Sequence, residues 1–172
     1  MTFRMCMAAS MLAAGVASAG EPAVSVFHGE HDNYERTGLS VRLGPVWERD
    51  WGAWHAGVHP ELELSRFHYS GSSAGPNTLN QAGAIGMLRM VRGKGNFQPY
   101  AELGLGAALL SRTHLGPKVF STTFQFSQHA GLGVEFAGRY SMGWRYSHYS
   151  NGDIEMPNDG IDLHQFVIGA RF

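Results

Sequence analysis

The sequence is almost without cysteine. Its single thiol, Cys6, lies within the first ten residues. A disulfide framework and a multi-thiolate metal site are thereby excluded. An exported location is not, because disulfides are only one way to stabilise a secreted chain. Charge of one sign is also lacking. The 13 Lys and Arg against 14 Asp and Glu give a net charge of −1, so no basic excess points to nucleic acid. Beyond the first twenty residues no continuous apolar run approaches the ~20 residues that a membrane helix needs. That excludes a helical span but not a strand barrel, in which only alternate residues meet lipid.

The first residues look like a leader. Arg4 supplies a positive start, Met5 to Val16 is a short apolar stretch, and Ala17-Ser18-Ala19 is a small-residue cleavage site. This pattern predicts a signal peptide over residues 1–19, with one domain over 20–172. No lipobox-like arrangement surrounds Cys6, so lipidation is not expected. Cleavage would remove the only thiol and with it any cysteine nucleophile.

What is abundant is alternation. Eight stretches have strand composition, at 23–29, 36–47, 54–69, 81–91, 97–111, 120–136, 139–150 and 161–172. Leu39, Val41 and Leu43 oppose Ser40 and Arg42. Val58, Leu62 and Leu64 share a parity with Trp54, whereas His55, His59, Glu61, Glu63 and Ser65 take the other. Phe120, Phe124 and Phe126 oppose Gln125, Ser127 and His129. Phe166, Ile168, Ala170 and Phe172 oppose Gln165 and Arg171. A soluble sandwich or lipocalin-like barrel would turn the apolar parity inward. A membrane barrel would turn it outward.

Three features favour the membrane barrel. Many strands reach the ~9–11 residues that cross a bilayer. The polar parity carries Arg42, Glu61, Glu63, Glu102, Arg145 and Arg171, a set able to pair in a narrow lumen. Trp and Tyr residues fall mostly near strand ends, as in the girdles of such barrels. Longer links at 71–80, 112–118 and 151–160 alternate with short ones at 49–52, 92–96 and 137–138. The expected fold is an all-β, eight-stranded antiparallel transmembrane barrel of the bacterial outer membrane, with the long loops outside the cell. The terminal Phe172 resembles the aromatic end common in that class. Eight strands leave an interior just wide enough for side chains, so function is expected on the outer wall or in the loops.

The seventh stretch carries the candidate chemistry. Residues two apart in a strand share a face, so Trp144, Tyr146, His148 and Ser150 point one way. Asp162 has the parity of Phe166 and Ile168, and a hairpin return brings it towards His148. Ser150 is a poor nucleophile until a base such as His148 takes its proton, and an acid such as Asp162 would orient the imidazole. An oxyanion needs nearby donors. Asn151 is the favoured one, with Gly152 and Asn158 behind it. All three triad candidates are expected to project towards lipid near the outer rim, which suggests a lipid substrate.

The run His148-Tyr-Ser-Asn151, then Pro157-Asn-Asp-Gly160 and an acid at 162, resembles the outer-membrane lipid A 3-O-deacylases of the PagL type. The match is specific over 144–172 and general over the strand pattern. The resemblance implies an eight-stranded barrel with a His-Ser-Glu triad on its lipid-facing wall. It also implies removal of the ester-linked 3-hydroxyacyl chain from the 3-position of lipid A, with no metal or other cofactor. It makes His148 the base and Ser150 the nucleophile, and matches Asn151 to a functionally important Asn. The chain departs from the pattern at 162, where Asp replaces Glu and shortens the reach by about 1.5 Å. A backbone shift could absorb this; otherwise Asp153, Glu155 or Asp159 is the third member, or none is needed.

Other readings stay beside this one. A phospholipase, or a structural or adhesive small barrel, would use the same strand pattern. Packed barrel walls leave a homodimer open. Nine histidines raise the question of metal. His28, His31 and Asp32 form one set. His55 and His59 share a face but are expected in a luminal network with Glu61 and Glu63. Arg36, Arg112 and Lys118 are expected as solvated loop charges, with attraction to lipid A phosphates as the alternative. His164 is placed at the interface, and Phe124 and Phe126 on the lipid wall.

Overall fold

The structure, a computed structural model, describes residues 21–172. The proposed leader therefore lies outside the described residues. Eleven strands follow in order: β1 (Ala23–His31), β2 (Tyr34–Arg42), β3 (Trp47–Trp51), β4 (Trp54–Tyr69), β5 (Thr78–Arg92), β6 (Phe97–Leu110), β7 (His114–Leu115), β8 (Lys118–Val119), β9 (Phe124–Phe136), β10 (Tyr140–Ser150) and β11 (Ile161–Arg171). Pairing runs β2-β1-β11-β10-β9-β6-β5-β4, and β4 returns to β2. Every pair is antiparallel. The sheet is thus closed into an eight-stranded barrel, which satisfies the backbone groups of the eight staves internally as a bilayer demands; β3 alone, at the short-turn rim, pairs on one side only, with β4.

Two strands depart most from the expected boundaries; elsewhere the ends differ by up to three residues, as where β5 starts at Thr78 rather than 81. The second stretch, expected over 36–47, is interrupted after Arg42. Pro45 has no N–H to give the ladder. Leu43 and Val46 keep contact with β4 by donating to the Pro60 and Val58 carbonyls, both at 2.8 Å. β3 then resumes the same stave against the start of β4 and turns through Gly52, at φ +58°. The sixth stretch begins at Phe124 rather than 120. Phe120 belongs to a loop and is buried, not part of the lipid wall.

Facing follows the expected parity. Leu62 and Leu64 are 52% and 59% exposed, whereas Glu61 and Glu63, which alternate with them, are 3% and 2%. The outer wall is a band of Val, Leu, Ile, Phe and Trp. An apolar band of that extent is stable in hydrocarbon and not in water.

The lumen has two zones. Its middle is an ion lattice. Arg145 donates to Glu61 and Glu102, both at 2.8 Å, and Arg89 donates to Glu102 at 2.7 Å and Glu135 at 3.0 Å. Arg36 corrects a sequence expectation. It is fully buried and donates to Ser65, Gln165, Glu63 and Gln81, because it shares the inward parity of Tyr34 and Ser40. Paired with carboxylates and hydrogen-bonded through most of their polar atoms, such charges are tolerable in a dry interior. At the long-loop end the lattice is capped by an apolar cluster that includes Phe67, Leu115, Phe120, Tyr149 and Leu163. His55 and His59 do not join the lattice. His55 binds Asp50 and Glu48, and His59 binds the Leu43 carbonyl. Both line the mouth at the short-turn end, because β4 runs past the lattice there.

Candidate active site

β10 and β11 meet in the register His148↔Asp162 and Tyr146↔His164. On β10 the inward residues Arg145, Ser147 and Tyr149 are buried, whereas Trp144, Tyr146, His148 and Ser150 are at least partly exposed. The inward set explains the orientation of the outward one. Arg145 is held by three lattice carboxylates, Ser147 accepts from Gln165, and Tyr149 lies under Arg36 with its ring centroid 5.0 Å away. A one-residue slip would drive these groups into lipid.

The structure brings His148 and Asp162 together. His148 Nδ1 lies 2.7 Å from Asp162 Oδ1, so the one-methylene-shorter acid reaches the imidazole across the strand pair. Tyr146 also donates its phenol to Asp162 Oδ1. Two of the alternative acids are occupied elsewhere. Asp159 accepts from the Val119 amide at 2.6 Å and Asp153 accepts from the Asn158 side chain at 3.0 Å. Glu155 is tied to the site through its backbone carbonyl, which accepts from Asn151.

Ser150 and His148 flank Gly160. A Cβ built on that glycine would lie 3.4 Å from His148 Cε1 and 3.8 Å from Ser150 Cβ. No hydrogen bond joins Ser150 to His148 among the described residues. Catalytic contacts of this kind commonly tighten only around substrate. With Nδ1 engaged by Asp162, Nε2 is the nitrogen left to serve a hydroxyl.

Asn151 turns inward and is fully buried. Its amide donates to the carbonyls of Phe120 at 2.8 Å and Glu155 at 2.7 Å, and its backbone N–H donates to Asn158 Oδ1 at 3.0 Å. Both side-chain protons are therefore committed to the loops. Asn158 spends its own amide on Asp153. The two asparagines lock the turn that follows Ser150. Gly152 sits beyond it at φ +65°, against the ring of Phe126. Its N–H donates to no acceptor among the described residues.

The loop between β6 and β9 braces the site in a way that sequence inspection missed. Ser121 donates to the Pro157 carbonyl at 2.7 Å, Asp159 N–H to Val119 O at 3.2 Å, and Lys118 to the Asp159 carbonyl at 3.2 Å. Lys118 is thus a loop tie. The Leu115 and Phe120 side chains anchor this loop in the lumen cap. Large apolar residues at 115 and 120, inside a loop rich in Ser and Thr, were the available signal. His164 stacks on Trp144 at 5.7 Å and contacts Tyr146 at 5.6 Å. His28 Nδ1 lies 2.8 Å from Thr37 Oγ1.

Comparisons with known proteins bear on the family and the fold of the whole chain. The family model described as lipid A 3-O-deacylase (PagL) matches residues 35–171. A protein of Bordetella bronchiseptica named lipid A deacylase PagL is 35% identical over 151 residues, covering 87% of this chain and 83% of that protein. A Pseudomonas aeruginosa protein of the same name is 27% identical over 132 residues, covering 75% of this chain and 76% of that protein. A crystal structure of the outer membrane enzyme PagL is alike in fold. It has a TM-score of 0.66 at 23% identity, over 86% of this chain and 97% of that one. The chain belongs to the lipid A 3-O-deacylase (PagL) family.

Proposed function

We propose that this outer-membrane barrel deacylates lipid A as a serine esterase, with Ser150 as nucleophile, His148 as base and Asp162 as the acid that orients it. The observation that carries the reading is the His148–Asp162 pair, 2.7 Å apart on the outward face that Ser150 shares. Its loop end faces the cell exterior, so the triad meets the outer leaflet.

The steps follow from the side chains. Asp162 accepts a hydrogen bond from Nδ1–H, which fixes the tautomer and leaves Nε2 as the basic nitrogen. Nε2 removes the Ser150 proton as Oγ attacks the carbonyl of the 3-linked acyl ester. The oxyanion takes the N–H of Gly152, because Asn151 and Asn158 hold the turn with their own donors rather than offering them. The imidazolium then returns its proton to the sugar 3-oxygen, and the ester bond to the sugar breaks. Water, deprotonated by His148, hydrolyses the acyl-serine. A 3-hydroxy fatty acid leaves and the serine is restored. No step in this sequence draws on a metal.

An outward triad suits a substrate that never leaves the membrane. The acyl chain stays in hydrocarbon while only its ester reaches the polar rim. The same wall carries an apolar groove of about 330 Å³ lined by Leu88, Met90, Leu103, Leu132 and Trp144, a surface that favours alkyl chains over water.

A phosphonate ester that mimics the tetrahedral intermediate tests the mechanism. One adduct on Ser150, lost in His148→Asn, is the expected outcome. Modification of another residue, or full labelling without His148, contradicts it.

A further inference from the structure

We propose that Tyr146 is a positioning residue of the triad: its phenol fixes the Asp162 carboxylate so that Oδ1 faces His148. This inference rests on the serine-triad reading above. Tyr146 and His148 lie two apart on one face of β10, and both address the same oxygen of Asp162 across the strand pair. A carboxylate oxygen has lone pairs for two donors. An aspartate beside lipid, with its side chain 41% exposed, would otherwise turn about a broad terminal torsion. Two donors converging on one oxygen remove that freedom.

The phenol is itself held in place. Its ring meets His164, which stacks on Trp144 at an interplanar angle of 18° and meets His31 edge-on with centroids 5.5 Å apart. The strip ties the acid to three strands, β1, β10 and β11. A tyrosine serving only as an interfacial anchor would send its hydroxyl to water or headgroups. Here the hydroxyl is spent on the acid. The short reach of Asp162 keeps its carboxylate close to the sheet, where a ring lying along the wall meets it. Tyr146 thus acts through Asp162 on His148 and need not touch the reacting ester.

The test is a double-mutant cycle. Tyr146→Phe keeps the ring and its stacking and removes only the hydroxyl. It is combined with Asp162→Ala, and each variant is measured by lipid A deacylation and by the rate of phosphonate labelling of Ser150. Labelling over long incubations follows even slow variants. The expected result is a loss of roughly five- to tenfold in kcat and in labelling rate for Tyr146→Phe, the size of one partly exposed charge-assisted hydrogen bond. KM is unchanged, and no further loss appears once Asp162 is alanine. An equal loss in both backgrounds, no loss, or a change in KM alone overturns the inference. Ser150→Ala separates the two levels. If it still deacylates lipid A, the serine reading fails. If it is silent while Tyr146→Phe equals the wild type, only the role of Tyr146 fails. Retention of the heat-modifiable gel shift shows that each barrel is folded.

Discussion

Gly160→Ala probes the triad without touching a triad residue. Gly160 has φ +54°, a left-handed conformation that costs an alanine about 1 kcal/mol. The new methyl would also start 3.3 Å from the Tyr149 carbonyl oxygen, 3.4 Å from His148 Cε1 and 3.8 Å from Ser150 Cβ. The first two approaches are tight, so something must yield by a few tenths of an ångström. The Tyr149 carbonyl belongs to a paired strand and yields least. The imidazole, partly exposed and held only through Nδ1 by the side chain of Asp162, yields most. A misplacement of about 1 Å at a reacting group is worth up to ~100-fold in rate, so a few tenths predicts a loss of about three- to tenfold in kcat. Stability should fall by only about 1–2 kcal/mol, as the conformational term and the crowding require. Single-turnover deacylation of purified lipid A, paired with urea unfolding in detergent micelles, reads both quantities. A wild-type rate with an unchanged barrel would refute the placement of His148 and Ser150 on either side of this glycine. A rate loss no larger than the fraction of barrel unfolded would refute it equally.

Two further outcomes follow from the same contacts. Asn151→Ala strips the Phe120 and Glu155 carbonyls of their donor, at about 1–3 kcal/mol for the buried Phe120 carbonyl left unpaired and less for that of the exposed Glu155. Deacylation should fall at least tenfold while the barrel keeps its gel shift; unchanged kinetics would remove Asn151 from the site. Arg145→Met leaves Glu61 and Glu102 facing each other without their shared cation. Unfolding in urea should show a loss of about 3–5 kcal/mol, with near-normal activity per folded molecule. A smaller loss would mean that the lumen is wetter than the lattice implies.

Much of this architecture was legible because strands announce themselves by parity. Leu62 and Leu64 against Glu61 and Glu63 fix an inside and an outside, and β10 and β11 inherit the same logic. That is why the outward facing of His148, Ser150 and Asp162 could be anticipated. Where parity has no meaning, the sequence was silent. Phe120 extends the alternation of β9 by eye, yet it leaves the ladder to cap the lumen, since a buried aromatic gains more inside than at a rim. Arg36 looked like a solvated charge, because its four partners come from β4, β5 and β11 and converge only when the barrel closes. Asn151 follows the nucleophile directly and so suggested a donor to the oxyanion. Its amide is instead consumed by carbonyls at 120 and 155, which no local pattern brings to it. The Tyr146 hydrogen bond depended likewise on register across a ten-residue loop.

The most direct measurement is the mass spectrum of lipid A from an outer membrane expressing the wild type beside one expressing Ser150→Ala at equal folded abundance. The account predicts loss of one 3-hydroxyacyl group with the wild type and an untouched lipid A with the variant. Deacylated lipid A in both samples would contradict it.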